Sequence, residues 1–248
     1  MRLLLSLILG AVFVMPSNCS ADDPVVFVSA FAAGEKGAIH AFRFDSKTGT
    51  LKPQHRTTDV QHPFFLVISP DGRFLYSIDT EKFGGKEDEF VAAYSIKDRS
   101  GKLERLNQQS AKGTASCYLD IASNGKTLVL ANYSTGSVAA LPVQDDGSLG
   151  EATSFVQHEG SSVNPKRQKA PYAHSIVISP DNRFALAADL GIDLVFEERA
   201  VAVFLELHVG AALGETGSAT FAFARNAIAV GGVDIGQFHR AGEFGLHR

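Results

Sequence analysis

One polar segment of the sequence carries residue types that could perform acid–base chemistry on a carbonyl group. Residues 158–175 read HEGSSVNPKRQKAPYAHS and contain two histidines, a glutamate, an arginine and two lysines. His174 could take a proton from water, because a histidine titrates near neutral pH. Arg167 could stabilise a developing oxyanion or hold an anionic group through its forked guanidinium, and Asp189 or Glu159 could orient the histidine. A solvated surface loop is the competing interpretation of this segment.

The sequence does not support two other kinds of catalytic centre. It contains no Gly-x-Ser-x-Gly turn, which argues against a serine hydrolase of that class. The histidines are scattered and Cys117 lies far from the other cysteine, Cys19, so no metal-ligand spacing is present. We therefore expect neither a metal nor another cofactor.

Three segments of the sequence repeat one another, each with an apolar run, a turn and a second apolar run. The turn residues Pro, Asp, Asn and Gly preset φ or tolerate positive φ. The flanks are rich in Val, Ile, Leu and Phe, so each segment predicts a β-hairpin. The segments are ISPDGRFLYSIDT (68–80), IASNGKTLVLANY (121–133) and ISPDNRFALAADL (178–190).

A second landmark, a Gly-x-Leu turn, precedes each hairpin. It starts at Gly49, Gly101 and Gly147, and the strand-like runs AIHAFRFD, FVAAYSIK and SVAALPVQ precede it. A unit of about 50 residues with several short strands is typical of a β-propeller blade. A β-sandwich whose turns are similar by chance is the alternative.

Blade geometry predicts which polar residues converge. The first strand of a blade starts, and the antiparallel second strand ends, on the same face, which we call the mouth of the central channel. His174 opens a first strand, Asp189 closes the next strand, and the 158–173 loop leads into the first of them. Equivalent positions of earlier units hold His62, Glu81, Tyr118, Asn132 and Tyr133. Such convergence is needed because no single blade encloses a ligand.

The same residues carry a family likeness. The stretch HEGSSVNPKRQKAPYAHSIVISPDNRF, followed by ADLGID and preceded by ANYSTGSV, resembles the seven-bladed lactonase propellers, which include propeller-type 6-phosphogluconolactonase and carboxymuconate cyclase. The likeness covers roughly residues 25–193. It implies an all-β β-propeller fold, of which this chain would form about three to four blades of a seven-bladed ring and so an incomplete propeller.

The resemblance also implies an activity, the ring-opening hydrolysis of a sugar lactone without a required metal. By position, the resemblance assigns His158, Glu159, Arg167, Gln168, His174 and Asp189 to the site, and the blade geometry adds Asn132, Tyr133 and His62. Of these, the candidates for catalysis are His174, Arg167, His158 and Asp189, and the candidates for substrate binding are Glu159, Gln168, Asn132, Tyr133 and His62. This chain departs from the family at Tyr172, since the family usually has His-x-His where this sequence reads Tyr-Ala-His.

Two other functions fit the sequence. One is a non-catalytic exported propeller that binds a ligand on the same face. The other is an inactive fragment of a lactonase gene, favoured by Tyr172 and by the end of the sequence. The repeat pattern stops after Asp193, and residues 194–248 are rich in Ala and Gly with no proline. We expect 22–193 to be propeller repeats and 194–248 to be a divergent tail that arises from a frame shift or truncation.

The N-terminal residues 1–21 predict a signal peptide. One arginine precedes an apolar run from Leu3 to Met15, which is too short to span a bilayer comfortably, and small residues follow. The sequence therefore predicts an exported protein, periplasmic or extracellular. The formal net charge of −4 gives no basic face, so neither nucleic acid nor, after cleavage, a membrane is an expected partner. The expected partner is a small sugar lactone.

Overall fold

A computed structural model describes residues 23–199. The predicted signal peptide, and the predicted tail from residue 200 onward, lie outside the described residues. Within 23–199 the chain is built from short strands and one 3-10 turn, Gly34–Lys36. No helix in this part of the chain has the length and apolar character to cross a membrane.

The described strands follow one another in four antiparallel sheets, which we call the first to fourth blades. Each blade is formed by strands that are consecutive in the sequence, with neighbours paired in chain order. The first blade contains β1 (Val25–Ala30), β2 (Ala38–Asp45) and β3 (Thr50–Thr57), and the second contains β4 (Leu66–Ile68), β5 (Phe74–Asp79), β6 (Phe90–Ile96) and β7 (Leu103–Ser110). The third contains β8 (Ser116–Ile121), β9 (Thr127–Asn132), β10 (Ser137–Pro142) and β11 (Ser154–Gln157), and the fourth contains β12 (Ala173–Ile178), β13 (Phe184–Asp189) and β14 (Leu194–Arg199).

This arrangement confirms the predicted propeller repeats. Strands of a β-sandwich would alternate between two sheets, whereas here every sheet is a simple meander of neighbouring strands. The three predicted hairpin turns connect β4 to β5, β8 to β9 and β12 to β13. The first blade starts at the equivalent of a second strand, since β1 pairs with β2 as β5 pairs with β6.

Local side-chain chemistry explains why the hairpins turn where they do. In the second blade the Ser69 hydroxyl donates to Asp71 over 2.6 Å and accepts from the Phe74 N–H at 3.0 Å. In the fourth blade Ser179 makes the same two bonds with Asp181 and Phe184. Gly72 takes a positive φ of 73°, so the turn needs a residue that tolerates the left-handed region.

Three apolar clusters fill the junctions between neighbouring blades. Tyr94 and Leu75 lie in the cluster between the first and second blades, Tyr76 and Leu130 in the next, and Ile176 in the third. Packing of this kind fixes each blade against the next one. It therefore sets the relative positions of polar groups that project from the blade ends.

A further strand follows Asp193, the residue at which the repeat pattern of the sequence stops. β14 comprises Leu194–Arg199 and pairs with β13 along six residues, from Asp189↔Leu194 to Phe184↔Arg199. The backbone groups on that side of β13 are satisfied by this pairing. The propeller repeat thus continues to at least residue 199, although the sequence before this strand contains no recognisable turn motif.

Candidate functional site

The strand registers show where the ends of the first and second strands of a blade lie. Ala173 lies opposite Asp189 in the fourth blade, and Ser116 lies opposite Asn132 in the third. First strands therefore start beside the ends of second strands, as expected for the mouth. The predicted residues nevertheless differ in burial and in contacts. Those at the fourth blade, with Tyr133, fall into three groups, and Asn132 and His62 lie apart from them.

The first group is buried beneath the mouth and consists of His158 and Asp189. His158 Nδ1 lies 2.7 Å from Asp189 Oδ2, and neither side chain has exposed surface. The other carboxylate oxygen, Oδ1, accepts the N–H groups of Tyr172 at 2.7 Å and Gly191 at 2.8 Å. This pair fastens the 158–172 loop to the fourth blade. Because no surface of either side chain is exposed, a ligand in the mouth cannot touch them.

The preceding blades contain equivalent buried anchors at the ends of their second strands. Asp79 Oδ1 accepts the Gln61 N–H at 2.7 Å. Asn132 accepts from the Ser116 hydroxyl at 2.7 Å and donates to the Ala111 carbonyl at 2.9 Å. Asn132 is completely buried, so this predicted substrate-binding residue holds the chain that enters its own blade instead of reaching into the mouth.

The second group lines the mouth and combines His174 with two tyrosines. The rings of Tyr133 and Tyr172 stack with their centroids 4.9 Å apart, and His174 stands edge-on to Tyr133 at 6.0 Å. His174 is exposed to solvent, while the protein atoms around its imidazole partly desolvate the ring. This desolvation lowers the pKa of His174 from its ordinary value, because it disfavours the imidazolium. The neutral imidazole, which can accept a proton, is therefore the favoured form.

The third group lies on the 158–172 loop above the fourth blade. Arg167 and Glu159 are exposed. Gln168 is tied down, since its Oε1 accepts the Asn164 N–H at 2.9 Å and its Nε2 donates to the Leu190 carbonyl at 3.2 Å and to Asp193. Gln168 thus orders the turn that presents Arg167, and Arg167 itself stays available to an incoming anion.

His62 belongs to a separate aromatic cluster at the first and second blades. Its Nδ1 lies 2.9 Å from the Thr80 carbonyl oxygen, and its ring packs at 5.2 Å from Phe31. Phe31 also contacts Phe64 and Phe83 edge-to-face. The sequence analysis missed these phenylalanines. One feature could have pointed to an additional cluster here. The connection 80–89 between β5 and β6 is longer than the equivalent connections 133–136 and 190–193.

A cavity of about 840 Å³ lies beside this longer connection. Of the polar residues predicted to converge at the mouth, Glu81 lines it, whereas none of the candidates for catalysis or substrate binding does. Its wall contains more carboxylates than cationic groups, which makes it unsuited to an anionic ligand; the charged lining residues are Asp59, Asp79, Glu81, Glu87, Asp88, Lys82, Lys86 and Arg105. The cavity and the His174 group are therefore two distinct features of the same face.

Within residues 23–199, no cluster of three or more His, Cys, Asp or Glu side chains could hold a metal ion. Cys117 is a buried free thiol, and burial raises its pKa to about 12. A thiol that stays protonated at neutral pH is a poor nucleophile. Among the described candidates for catalysis, only His174 and Arg167 are exposed.

Comparison with known proteins points to one family. A sequence profile described as "Lactonase, 7-bladed beta-propeller" matches residues 25–200. A 6-phosphogluconolactonase of Bacillus subtilis is 31% identical over 170 residues, which are 68% of this chain and 47% of that protein. A 6-phosphogluconolactonase of Formosa agariphila is 28% identical over 173 residues, which are 68% of this chain and 48% of that protein.

A solved structure agrees with these sequence matches. The periplasmic gluconolactonase of Pseudomonas aeruginosa superimposes with a TM-score of 0.63 and 32% identity, covering 71% of this chain and 50% of that one. The chain spans about half the length of the relatives that it matches. The shared half contains the four blades described above.

Proposed function

We propose that this chain, which belongs to the seven-bladed β-propeller lactonase family, hydrolyses the ring ester of a sugar lactone to the open-chain aldonic acid. The observation that carries the proposal is His174, an exposed imidazole with a lowered pKa that lies against Tyr133 at the start of β12, while Arg167 is exposed on the loop that leads into this strand. These two residue types supply a base for water and a cation for an oxyanion.

The reaction follows from these roles. His174 removes a proton from a water molecule whose oxygen attacks the lactone carbonyl carbon. The carbonyl oxygen gains negative charge, which Arg167 stabilises. The intermediate then collapses, the bond between the carbonyl carbon and the ring oxygen breaks, and the imidazolium of His174 returns its proton to the ring oxygen. The products are one carboxylic acid group and one hydroxyl group, so atoms and charge balance.

The other predicted residues bind the substrate or hold the loop that bears Arg167. Stacked tyrosines offer a flat apolar surface to the C–H face of a sugar ring, and Tyr133 and Tyr172 are so arranged. His158 and Asp189 position the loop and do not touch the substrate, because both side chains are buried. Glu159 and Gln168 lie on the same loop, where Gln168 maintains the turn before Arg167.

The proposed substrate is a sugar lactone without a phosphate group. The predicted signal peptide, Leu3 to Met15 with its flanks, favours export, and the Pseudomonas relative is named a periplasmic gluconolactonase. An exported enzyme would meet sugar lactones that carry no phosphate. Intact-mass measurement on protein taken from the native envelope is expected to show that residues 1–21 have been removed, and a mass that retains them would refute export.

Substitution of Arg167 tests the proposed function. Arg167→Ala is expected to lower kcat/KM for a sugar δ-lactone on the order of 10²-fold, the usual cost of losing one oxyanion donor. Arg167→Lys should recover only part of the rate, since a point charge does not replace a bidentate fork. Lys169→Ala, which removes another exposed cation from the same loop, is the matched control and should leave the rate nearly unchanged.

The measurement also separates this proposal from its alternative. The departure at Tyr172 leaves one histidine where the family usually has two, which favours a non-catalytic binding module as the second candidate. If the wild-type chain hydrolyses the lactone no faster than buffer and yet binds the aldonic acid product, the binding module is the better description. Equal rates for wild type and Arg167→Ala would remove Arg167 from the mechanism.

A further inference from the structure

We infer that Glu89, a carboxylate buried between the second and third blades, is a positioning residue that holds the Tyr133 ring against His174. Glu89 ends the longer connection between β5 and β6 and lies outside every group of residues that the sequence analysis selected. The inference deepens the proposed function, because it concerns the same histidine.

The contacts of Glu89 are unusual for a surface connection. The residue has no exposed surface. Its Oε1 accepts the N–H groups of Gly84 at 2.7 Å and Ala115 at 2.9 Å, and its Oε2 accepts the N–H of Ser116 at 2.8 Å. Taking a carboxylate out of water costs several kcal/mol unless hydrogen bonds compensate. Backbone donors from two separate segments provide that compensation here.

The segment that Glu89 holds is a strained turn. Lys112 and Ala115 take positive φ values of 57° and 52°, and side chains with a Cβ are disfavoured there. The backbone of Glu89 adds two further bonds to this turn, from its N–H to the Gly113 carbonyl at 2.9 Å and from the Ala111 N–H to its carbonyl at 2.8 Å. Such strain persists only where surrounding contacts impose it, and Glu89 supplies them.

The strained turn holds the backbone of Tyr133 in place. The Ala115 carbonyl accepts the Tyr133 N–H at 3.0 Å, and the Thr114 carbonyl accepts the Ser134 N–H at 3.1 Å. The Tyr133 ring then stacks on Tyr172 and meets the edge of His174. A continuous series of contacts thus runs from Glu89 through Ala115 and Tyr133 to the imidazole.

The surroundings of His174 make the effect of Glu89 measurable. The phenol ring of Tyr133 stands perpendicular to the imidazole and itself stacks on Tyr172. The protonated thiol of Cys117 contacts the backbone of His174, with its Sγ 3.4 Å from the His174 carbonyl oxygen. Burial is the cause of the lowered pKa of His174. A looser Tyr133 ring would hydrate the imidazole and return this pKa toward its ordinary value.

The test uses Glu89→Gln in the full 248-residue chain. A glutamine keeps the shape but offers one carbonyl oxygen, so its amide NH₂ must face at least one backbone N–H. We expect the His174 titration midpoint to rise toward the ordinary histidine value. The midpoint is measured by NMR, with the His174 resonance assigned from its loss in His174→Asn. The matched control is Glu104→Gln, a solvent-exposed glutamate paired with Lys97 at 2.6 Å, which should not move the midpoint.

A second variant separates positioning from general loosening. Tyr133→Ala should itself raise the His174 midpoint, and Glu89→Gln should add nothing further in the Tyr133→Ala background, because both act through the same ring. An unchanged midpoint in a folded Glu89→Gln protein, or a full further shift in the double variant, would overturn the inference. If Glu89→Gln does not fold, an unchanged midpoint in Tyr133→Ala overturns it.

The proposed function is tested independently of this result. The NMR titration needs no turnover, so a chain without lactonase activity still reports whether Glu89 controls His174. With activity present, Glu89→Gln should lower kcat more than it changes KM, since the base is misplaced while the rest of the mouth is kept.

Discussion

His174→Ala is expected to lower the rate of lactone hydrolysis by about 10²- to 10⁴-fold, the usual contribution of a positioned general base. The loss should appear in kcat, because the imidazole acts on water in the transition state and alanine leaves the stacked tyrosines for binding. The rate is measured from the acid released by a sugar δ-lactone, with the spontaneous hydrolysis in the same buffer subtracted.

The pH dependence gives this prediction a direction. Burial lowers the pKa of His174, so the imidazole remains neutral to a pH below its ordinary value of about 6.5. The wild-type rate should therefore decline on the acid side only below about pH 6.5, as the imidazole becomes protonated, and this decline should vanish in His174→Ala. His55→Ala, which removes a histidine from the outer strand β3, is the control and should retain both the rate and the acid decline.

A different outcome would reassign the histidine. If His174→Ala keeps the wild-type rate and pH profile, the mouth does not use this imidazole as a base. The tyrosine stack would then be the main feature of the site, and a binding module would describe the chain better than an enzyme.

The second large effect concerns stability. Asp189→Ala is expected to lower the free energy of unfolding by about 3–5 kcal/mol, the usual cost of removing one member of a buried pair. The variant leaves Tyr172 N–H, Gly191 N–H and His158 Nδ1 without the acceptor that they share. His158→Ala should cost less, about 1–3 kcal/mol, because the Asp189 carboxylate keeps its two backbone donors.

Chemical denaturation of the full chain measures both values. The double variant should cost less than the sum of the two single variants, since both remove one shared interaction. Asp145→Ala is the matched control, because Asp145 is 95% exposed and pairs with Lys126 at the surface, where such pairs contribute little. An Asp189→Ala protein as stable as Asp145→Ala would show that the buried pair does not hold the loop.

The repeating fold follows from short-range features that a sequence displays. The Ser69–Asp71 and Ser179–Asp181 turns are closed by hydrogen bonds between residues two to five positions apart. Strand composition and turn chemistry act over similarly short distances. The blades, their turns and the common face of the strand ends could therefore be predicted. The strand β14 could not, because it depends on pairing with β13 and follows no distinctive turn.

The candidate site depends on contacts between distant segments, and there the sequence is less informative. Residue type and resemblance were enough to select His158, Arg167, His174 and Asp189 as candidates. They did not indicate which of these side chains are buried and which are exposed. The structure separates them, since His158 and Asp189 pair across 31 residues in a site without solvent, whereas Arg167 and His174 retain exposed surface.

Glu89 shows the same limit most clearly. In the sequence it is one acid in the charged stretch EKFGGKEDE, where exposure is the ordinary expectation. Its burial follows from the packing of the third blade against the second, which brings the N–H groups of Ala115 and Ser116 to its carboxylate across 26 and 27 residues. Residue type and spacing determined which elements form and on which face their ends meet. Tertiary packing decided which polar groups on that face are buried as supports and which remain open to a ligand, because burial depends on neighbours that come from other parts of the chain.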